Sequence, residues 1–128
     1  MDVDGIDHIV LTVNNIEKTC AFYEQVLGMN AITFSEGRRA LSFGVQMINL
    51  HQYGNEFEPK AKTPTPGSAD ICVITSTPIS DVVLHLGSCG VDVIEGPVSR
   101  TGARGSIVSV YFRDPDMNLI EVSNYKNA

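Results

Sequence analysis

The stretch DHIVLTVNNIEKTCAFYEQVLG, residues 7–28, decides the fold of this chain. Its first seven residues alternate β-branched side chains and predict a strand. Apolar residues then recur at helical spacing. Asn14 or Asn15 can cap this helix at its start, and Gly28 can end it. Three short strands are expected after the helix, near residues 30–35, 39–43 and 46–53.

A second copy of this pattern begins at ADICVIT, residues 69–75. Thr77 and Pro78 are a good helix start, and Gly90 a good helix end. Three more strands are expected near residues 91–95, 106–112 and 118–124. The chain is therefore predicted to be a single α+β domain with two βαβββ modules. Module one covers about 6–53, an irregular connection covers 54–68, and module two covers about 69–125.

The bulk composition excludes several classes of partner. The 128 residues carry a formal net charge of −6, which has the wrong sign for nucleic acid or for an anionic membrane surface. No apolar run is long enough to span a bilayer. The N-terminal residues are acidic and lack the form of a signal peptide, so we expect a cytoplasmic protein. The three cysteines have no paired spacing and are expected to be reduced, structural thiols.

Four polar residues fall on the first and last strands of the two modules. Aligning the modules places His8 over Asp70 and His51 over Glu121. Side chains alternate across a strand, so each of the four shares a face with other polar groups, while the opposite face is nearly all apolar. Two imidazoles and two carboxylates are a suitable ligand set for a divalent ion such as Ni, Zn, Co, Fe(II) or Mn. The alternative is that each residue only faces solvent or is a satisfied core group.

Three other segments are candidates for substrate contacts, and one of them is the first-module loop SEGRRA, residues 35–40, with Arg38 and Arg39. The glycine-rich stretch GPVSRTGARG, residues 96–105, is predicted to be a loop whose Arg100 and Arg104 either grip an anionic group of a substrate or stay solvated. The 54–68 connection is a candidate lid, with Phe57 as its apolar contact. Tyr111 either lines the pocket or packs.

The segments IDHIVLTVNNIEKTCAFYEQVLGM and FRDPDMNLIEVSNY resemble the opening and closing elements of the vicinal-oxygen-chelate superfamily, which includes glyoxalase I, extradiol dioxygenases and bleomycin resistance proteins. The resemblance covers nearly the whole chain and is nearest to small glyoxalase-domain or virulence-associated proteins. It implies two modules that form a paired, open-barrel-like sheet around a metal cavity. It also implies that His8 and Glu121 match the family's first and last metal positions, whereas His51 and Asp70 depart from its middle positions.

The resemblance implies a metal-dependent enzyme that chelates a small substrate through neighbouring oxygens. The leading expectation is a glyoxalase-like lyase or isomerase, in which Glu121 acts as both metal ligand and base. An Fe(II) extradiol dioxygenase and a non-catalytic binding or resistance protein stay open as alternatives. Asp70 could instead orient a histidine ligand. The exposed sheet edges and the family's habit of pairing modules between subunits imply a homodimer.

Overall fold

The computed structural model of the chain describes residues 1–126. They form two compact units, Met1–Gly67 and a second unit that begins at Ser68. Each unit contains one helix and one four-stranded mixed sheet, in the order strand, helix, strand, strand, strand. The predicted α+β class and the repeated element order are therefore confirmed.

The sheet of the first unit has the spatial order β1-β4-β3-β2. Its strands pair antiparallel except for β1 and β4, which run parallel because the helix and the β2–β3 hairpin lie between them in the chain. The element bounds are β1 (His8–Val13), α1 (Ile16–Leu27), β2 (Asn30–Phe34), β3 (Arg38–Phe43) and β4 (Gln46–Gln52).

Local sequence signals fix both ends of α1. The side chain of Asn15 caps the helix by accepting a 3.0 Å hydrogen bond from the Lys18 backbone N–H. Gly28 ends it in the left-handed conformation, with φ of 66°. The buried residues between these caps recur at helical spacing and face the sheet: Thr19, Cys20, Tyr23 and Val26.

The two faces of the first sheet differ sharply. Leu11 and Val13 on β1 and Ile48 and Leu50 on β4 are buried on the face covered by α1. The opposite face carries His8 and the other even-numbered residues of β1, which stay partly or fully exposed. This side-chain alternation confirms the predicted division into an apolar core face and a mixed face.

The sheet of the second unit repeats this topology in the order β5-β8-β7-β6, with β5 and β8 parallel. Its apolar face is buried by Val110, Phe112, Ile120 and Val122, together with Leu86 of the helix. Within residues 1–126, no helix is long and apolar enough to cross a membrane. The element bounds are β5 (Asp70–Ile74), α2 (Ile79–Ser88), β6 (Glu95–Gly102), β7 (Gly105–Arg113) and β8 (Leu119–Tyr125).

The strand β6 is the largest departure from the predicted elements. The sequence predicted a strand at 91–95 and a loop at 96–105, but the strand occupies Glu95–Gly102. Pro97 is tolerated because β6 is an edge strand, and the pairing with β7 shifts register between Glu95 and Val98. Gly96 has φ of 105°, and a Cβ there would meet the Ser109 carbonyl oxygen at 2.3 Å. Glycine and proline therefore mark a bulged edge strand here.

Candidate functional site

The register of the first sheet separates the two predicted histidine ligands. His8 stands opposite Met47, whereas His51 stands opposite Thr12. Both side chains project from the same face, but four residues, or about 13 Å, separate them along the strands. The structure of this unit therefore does not bring His8 and His51 together.

Asn49 takes the place that the sequence alignment gave to His51. Asn49 stands opposite Val10, and in the second unit Glu121 stands opposite Cys72. Val10 and Cys72 each lie two residues after the first residue of their strands, so Asn49 and Glu121 are equivalent positions. The alignment of His51 with Glu121 is thus wrong by two residues, and the equivalent of His51 is Ser123.

The two sheets consequently carry two matching half-sites, which we define as His8 with Asn49 and Asp70 with Glu121. In each half-site, the two residues lie diagonally across a parallel strand pair, with about 8 Å between their Cα atoms. Asp70 is exposed, and Glu121 is partly buried. Across residues 1–126, no three His, Cys, Asp or Glu side chains gather into a group that could hold a metal ion.

Asn49 carries an oxygen without a partner. Its side-chain Oδ1 is buried but accepts no hydrogen bond in the described part of the chain. A buried polar atom without a partner costs free energy, so such atoms in native proteins commonly meet a ligand, an ion or water. Asn49 was not predicted as a ligand, although the β-strand alternation around MINLHQY puts it on the same face as His51.

The imidazole of His8 is oriented by its neighbour in the chain. Asp7 Oδ2 lies 2.9 Å from His8 Nδ1. A carboxylate at this nitrogen fixes the ring orientation and leaves Nε2 to bind a further group, as in many metal sites. The side chain of His8 is 43% exposed. Asp7 was not predicted from the sequence.

A series of hydrogen bonds between small polar side chains fixes the Glu121 carboxylate. The Ser109 hydroxyl donates a 2.6 Å hydrogen bond to Glu121 Oε2, and the Ser123 hydroxyl lies 2.6 Å from that of Ser109. The Cys72 thiol lies 3.3 Å from Ser123. A carboxylate only accepts hydrogen bonds, so one consistent arrangement has Cys72 donating to Ser123, Ser123 to Ser109, and Ser109 to Glu121. Burial raises the pKa of the Cys72 thiol, and the negative charge of Glu121 raises it further, which keeps the thiol a donor.

Tyr111 joins Glu121 to the predicted substrate residue Arg100. Tyr111 is the cross-strand partner of Glu121, and its hydroxyl accepts a 3.0 Å hydrogen bond from Arg100 Nε. Burial raises the pKa of Tyr111, Arg100 opposes this rise, and Glu121 adds to it. Arg100 also pairs with Glu95 at 3.1 Å. Arg100 therefore lies on a strand and is fixed by two partners, in contrast to the solvated loop that was the alternative.

Arg104 lies apart from this network, in the turn between β6 and β7. Its backbone N–H donates a 3.0 Å hydrogen bond to the Tyr125 hydroxyl, and its guanidinium lies 4.3 Å from the centroid of the Tyr125 ring. These contacts hold the turn against β8. The role of Arg104 in binding substrate stays a prediction.

The predicted lid segment contacts the open face of the first sheet. The Phe57 ring lies edge-on to that of His51, with centroids 5.7 Å apart, and the Arg38 guanidinium lies 4.1 Å from the Phe57 centroid. Burial lowers the pKa of His51, and the positive charge of Arg38 lowers it further. His51 is therefore an uncharged imidazole in this cluster at neutral pH.

The chain is similar to proteins of known family. Residues 5–122 match the model of the glyoxalase/bleomycin resistance protein/dioxygenase superfamily. Virulence protein STM3117 of Salmonella typhimurium is 62% identical over 125 residues, which are 98% of this chain and 87% of that protein. Glyoxalase domain-containing protein RDO1 of Mycosarcoma maydis is 52% identical over 128 residues, which are all of this chain and 72% of that protein.

Solved structures share the fold. The crystal structure of STM3117 has a TM-score of 0.96 and covers 98% of this chain and 99% of its own. Lactoylglutathione lyase from Agrobacterium tumefaciens, 20% identical, has a TM-score of 0.73 and covers 97% of this chain and 96% of its own. The fosfomycin resistance protein FosX from Listeria monocytogenes, solved with Mn(II) and sulfate, is 20% identical with a TM-score of 0.68, and covers 98% of this chain and 93% of its own. The matched family model spans almost the whole chain, and the chain therefore belongs to the glyoxalase/bleomycin resistance protein/dioxygenase superfamily.

Proposed function

We propose that the protein is a divalent-metal enzyme of the glyoxalase type, a lyase or isomerase that acts on a small substrate with neighbouring oxygens. The observation that carries this proposal is the equivalence of the two half-sites. The same two strand positions of each unit carry potential metal ligands, and one of these, Asn49, presents a buried oxygen without a partner.

The residues fit a divalent ion chemically. His8 offers an oriented imidazole, Asp70 and Glu121 offer carboxylates, and Asn49 offers an amide oxygen. One nitrogen and three oxygen ligands suit Mn, Fe(II), Co, Ni or Zn. We propose Asn49 as the fourth ligand in preference to His51, because His51 is displaced from His8 along the sheet. The fosfomycin resistance protein solved with Mn(II) has the same fold, which agrees with this proposal.

Each residue has a distinct task in the proposed reaction. When bound, the metal ion would polarise two neighbouring substrate oxygens as a Lewis acid. Glu121 is the proposed base that moves a proton between adjacent carbons, and the Ser109 hydroxyl orients its carboxylate through Oε2. Arg100, held by Tyr111 and Glu95, is proposed to bind an anionic part of the substrate.

The dioxygenase alternative fits the first unit less well. For a dioxygenase, His8, His51 and Glu121 would supply the two histidines and one carboxylate that bind Fe(II) in oxygenases. The four-residue separation of His8 and His51 weighs against that set. A protein that only sequesters a small molecule has no need for a half-site of two carboxylates, and it would take up no metal.

We also propose that the protein acts as a homodimer. β1 and β2 are edge strands of the first sheet, and β5 and β6 are edge strands of the second. Edge strands expose unpaired backbone groups that proteins usually cover. Sedimentation of the purified chain at several concentrations tests the proposal, and a mass of about 13.9 kDa at every concentration would overturn it.

Metal content and activity of three variants test the enzyme proposal. Wild-type protein is expected to bind about one divalent ion per chain, and Glu121→Ala and Asn49→Ala to lose most of it, whereas His51→Ala keeps it. The metal-loaded wild type should then isomerise the hemithioacetal of methylglyoxal and glutathione without consuming oxygen. Oxygen uptake with catechols would instead favour the dioxygenase, and a wild type that binds none of the five ions would leave only a binding protein.

A further inference from the structure

Arg38 lies on the same sheet face as the half-site of the first unit. It is the first residue of β3 and pairs across the hairpin with Phe34. Two residues later, Ala40 pairs with Asn49. Because residues two apart on a strand share a face, Arg38 and Asn49 project from the same side of the sheet. The Arg38 side chain therefore starts from the same side of the sheet as that of Asn49.

The Arg38 guanidinium is held in place without an acidic partner. It lies over the Phe57 ring at 4.1 Å, and the turn that carries Phe57 is fixed by hydrogen bonds from Asn55 to Gln52 and from Gly54 to Glu56. Arg39 and Arg100 each pair with a glutamate. By contrast, within residues 1–126 the Arg38 guanidinium makes no ion pair or hydrogen bond.

This arrangement is unusual for a chain whose net charge is −6. An arginine that only needs to be solvated usually extends into water, whereas Arg38 is half-buried against an aromatic ring. Stacking on the ring engages the face of the guanidinium and leaves its N–H groups free at the edges. Two parallel N–H groups at such an edge match the two oxygens of a carboxylate.

We propose that Arg38 binds the carboxylate of a small organic acid, with Phe57 holding the guanidinium in position. The inference that such an acid is the substrate of the enzyme rests on the proposed function, because the bound acid would lie beside Asn49 of the half-site. The anion site itself needs only residues of the first unit. Arg100 belongs to the second unit and is paired with Glu95.

The test compares lactate with lactamide, which has the same hydroxyl but no charge. Each probe is titrated into the full-length, metal-free protein while NMR follows the arginine Nε–H signals. Lactate is expected to shift the Arg38 signal saturably, with a dissociation constant on the order of 1 mM, and lactamide to leave it in place. Equal responses to lactate and lactamide would overturn the proposal, as would saturable binding of inorganic phosphate without binding of lactate.

Variants assign the binding to Arg38. Arg38→Gln should weaken lactate binding at least about tenfold, and Arg38→Lys should weaken it less, because the charge is kept but the paired N–H groups are lost. Lys18→Gln removes the same charge from the exposed surface of the first unit and should change binding less than about twofold. A protein spectrum that is otherwise unchanged shows that each variant is folded. Unchanged lactate affinity in Arg38→Gln would exclude the site.

This experiment also separates the anion site from the metal proposal. Lactate binding through Arg38 in a protein that takes up no metal would support the anion site and reject the enzyme proposal. Binding of one metal ion per chain, combined with lactate binding that does not depend on Arg38, would support the enzyme proposal and reject the anion site.

Discussion

Asn49 and Glu121 occupy the same position in the two sheets: each lies on a last strand, opposite the third residue of its parallel neighbour. Their surroundings differ. Glu121 accepts a hydrogen bond from Ser109, whereas Asn49 Oδ1 is buried without a donor. The second unit thus supplies a donor to its candidate ligand Glu121, while the first supplies none to the Asn49 oxygen.

Replacing Asn49 with leucine should have opposite effects with and without metal. In metal-free protein, Asn49→Leu removes a buried oxygen that has no partner, so we expect the free energy of unfolding to rise by about 1 kcal/mol. In the presence of Mn(II) or Zn(II), we expect the wild type to gain stability from binding the ion and the variant to gain none. Urea denaturation with and without each ion measures both effects.

Ala40→Leu serves as the control for Asn49→Leu, because Ala40 is the cross-strand partner of Asn49 and offers no ligand atom. It adds volume beside Asn49 at a fully buried site and should destabilise the protein with and without metal alike. An Asn49→Leu variant that is less stable than the wild type without metal, yet still gains stability from the ion, would show that Asn49 Oδ1 is not a ligand.

Removing the Ser109 hydroxyl should weaken the series of hydrogen bonds that ends at the Glu121 carboxylate. Ser109 is fully buried and contacts both Glu121 and Ser123 at 2.6 Å. Ser109→Ala leaves the carboxylate with one fewer donor, so we expect a loss of about 2 kcal/mol in the free energy of unfolding. Ser106→Ala, at an exposed position of the same strand, should change it by less than about 0.5 kcal/mol. Equal free energies of unfolding for the two variants would contradict a stabilising hydrogen bond from Ser109 to Glu121.

The sequence predicted those features of the fold that depend on neighbouring residues. The two ends of α1 were predictable from its caps, Asn15 and Gly28, because each cap acts within a few residues of the helix end. The alternation of β1 and β4 identified their exposed and buried faces for the same reason. In contrast, Gly96 and Pro97 indicated a loop, because only the pairing of β6 with β7 shows that they lie in a bulged edge strand.

The position of the candidate ligands could not be predicted in the same way. Asn49 and His51 lie two residues apart and share a face, so alternation alone cannot decide which one aligns with Glu121. The pairing of β1 with β4 decides it, and those strands are separated in the chain by a helix and a hairpin. The hydrogen bonds of Asp7, Ser109 and Ser123 likewise depend on side-chain geometry.

The lowered pKa of His51 predicts that the metal-free protein loses stability in mild acid. Burial and then Arg38 lower the pKa of His51 below its usual value of 6.5, and Glu56, Glu58 and Lys60 also act on it. As the pH falls through about 6.5, the unfolded chain binds a proton that the folded chain does not. Unfolding is therefore favoured until the pH reaches the lower pKa of the folded state.

Urea denaturation of metal-free protein between pH 7.5 and 5.5 measures this effect. The contribution of His51 is the difference between the wild type and His51→Gln, which should lose less stability over this range. His85→Gln, on the second helix, is the matched control and should follow the wild type. If His51→Gln and the wild type lose stability in parallel, His51 does not have a lowered pKa.

A methyl group at Gly96 should disrupt the edge strand that carries Arg100. The φ of 105° at Gly96 disfavours any residue with a Cβ, and that Cβ would meet the backbone oxygen of Ser109 at 2.3 Å. Since the clash is with backbone, it can be relieved only by moving β6 away from β7. We expect Gly96→Ala to lower the free energy of unfolding by about 3 kcal/mol and to weaken the contact between Arg100 and Tyr111.

Gly5→Ala is the matched control, because its added Cβ meets no atom within 4 Å. Thermal denaturation compares the two variants, and the NMR signal of the Arg100 Nε–H reports its hydrogen bond to Tyr111. A Gly96→Ala protein as stable as Gly5→Ala would mean that β6 does not lie against β7 at this point. A destabilised protein with an unchanged Arg100 signal would instead confine the disturbance to the bulge and leave the proposed substrate contact intact.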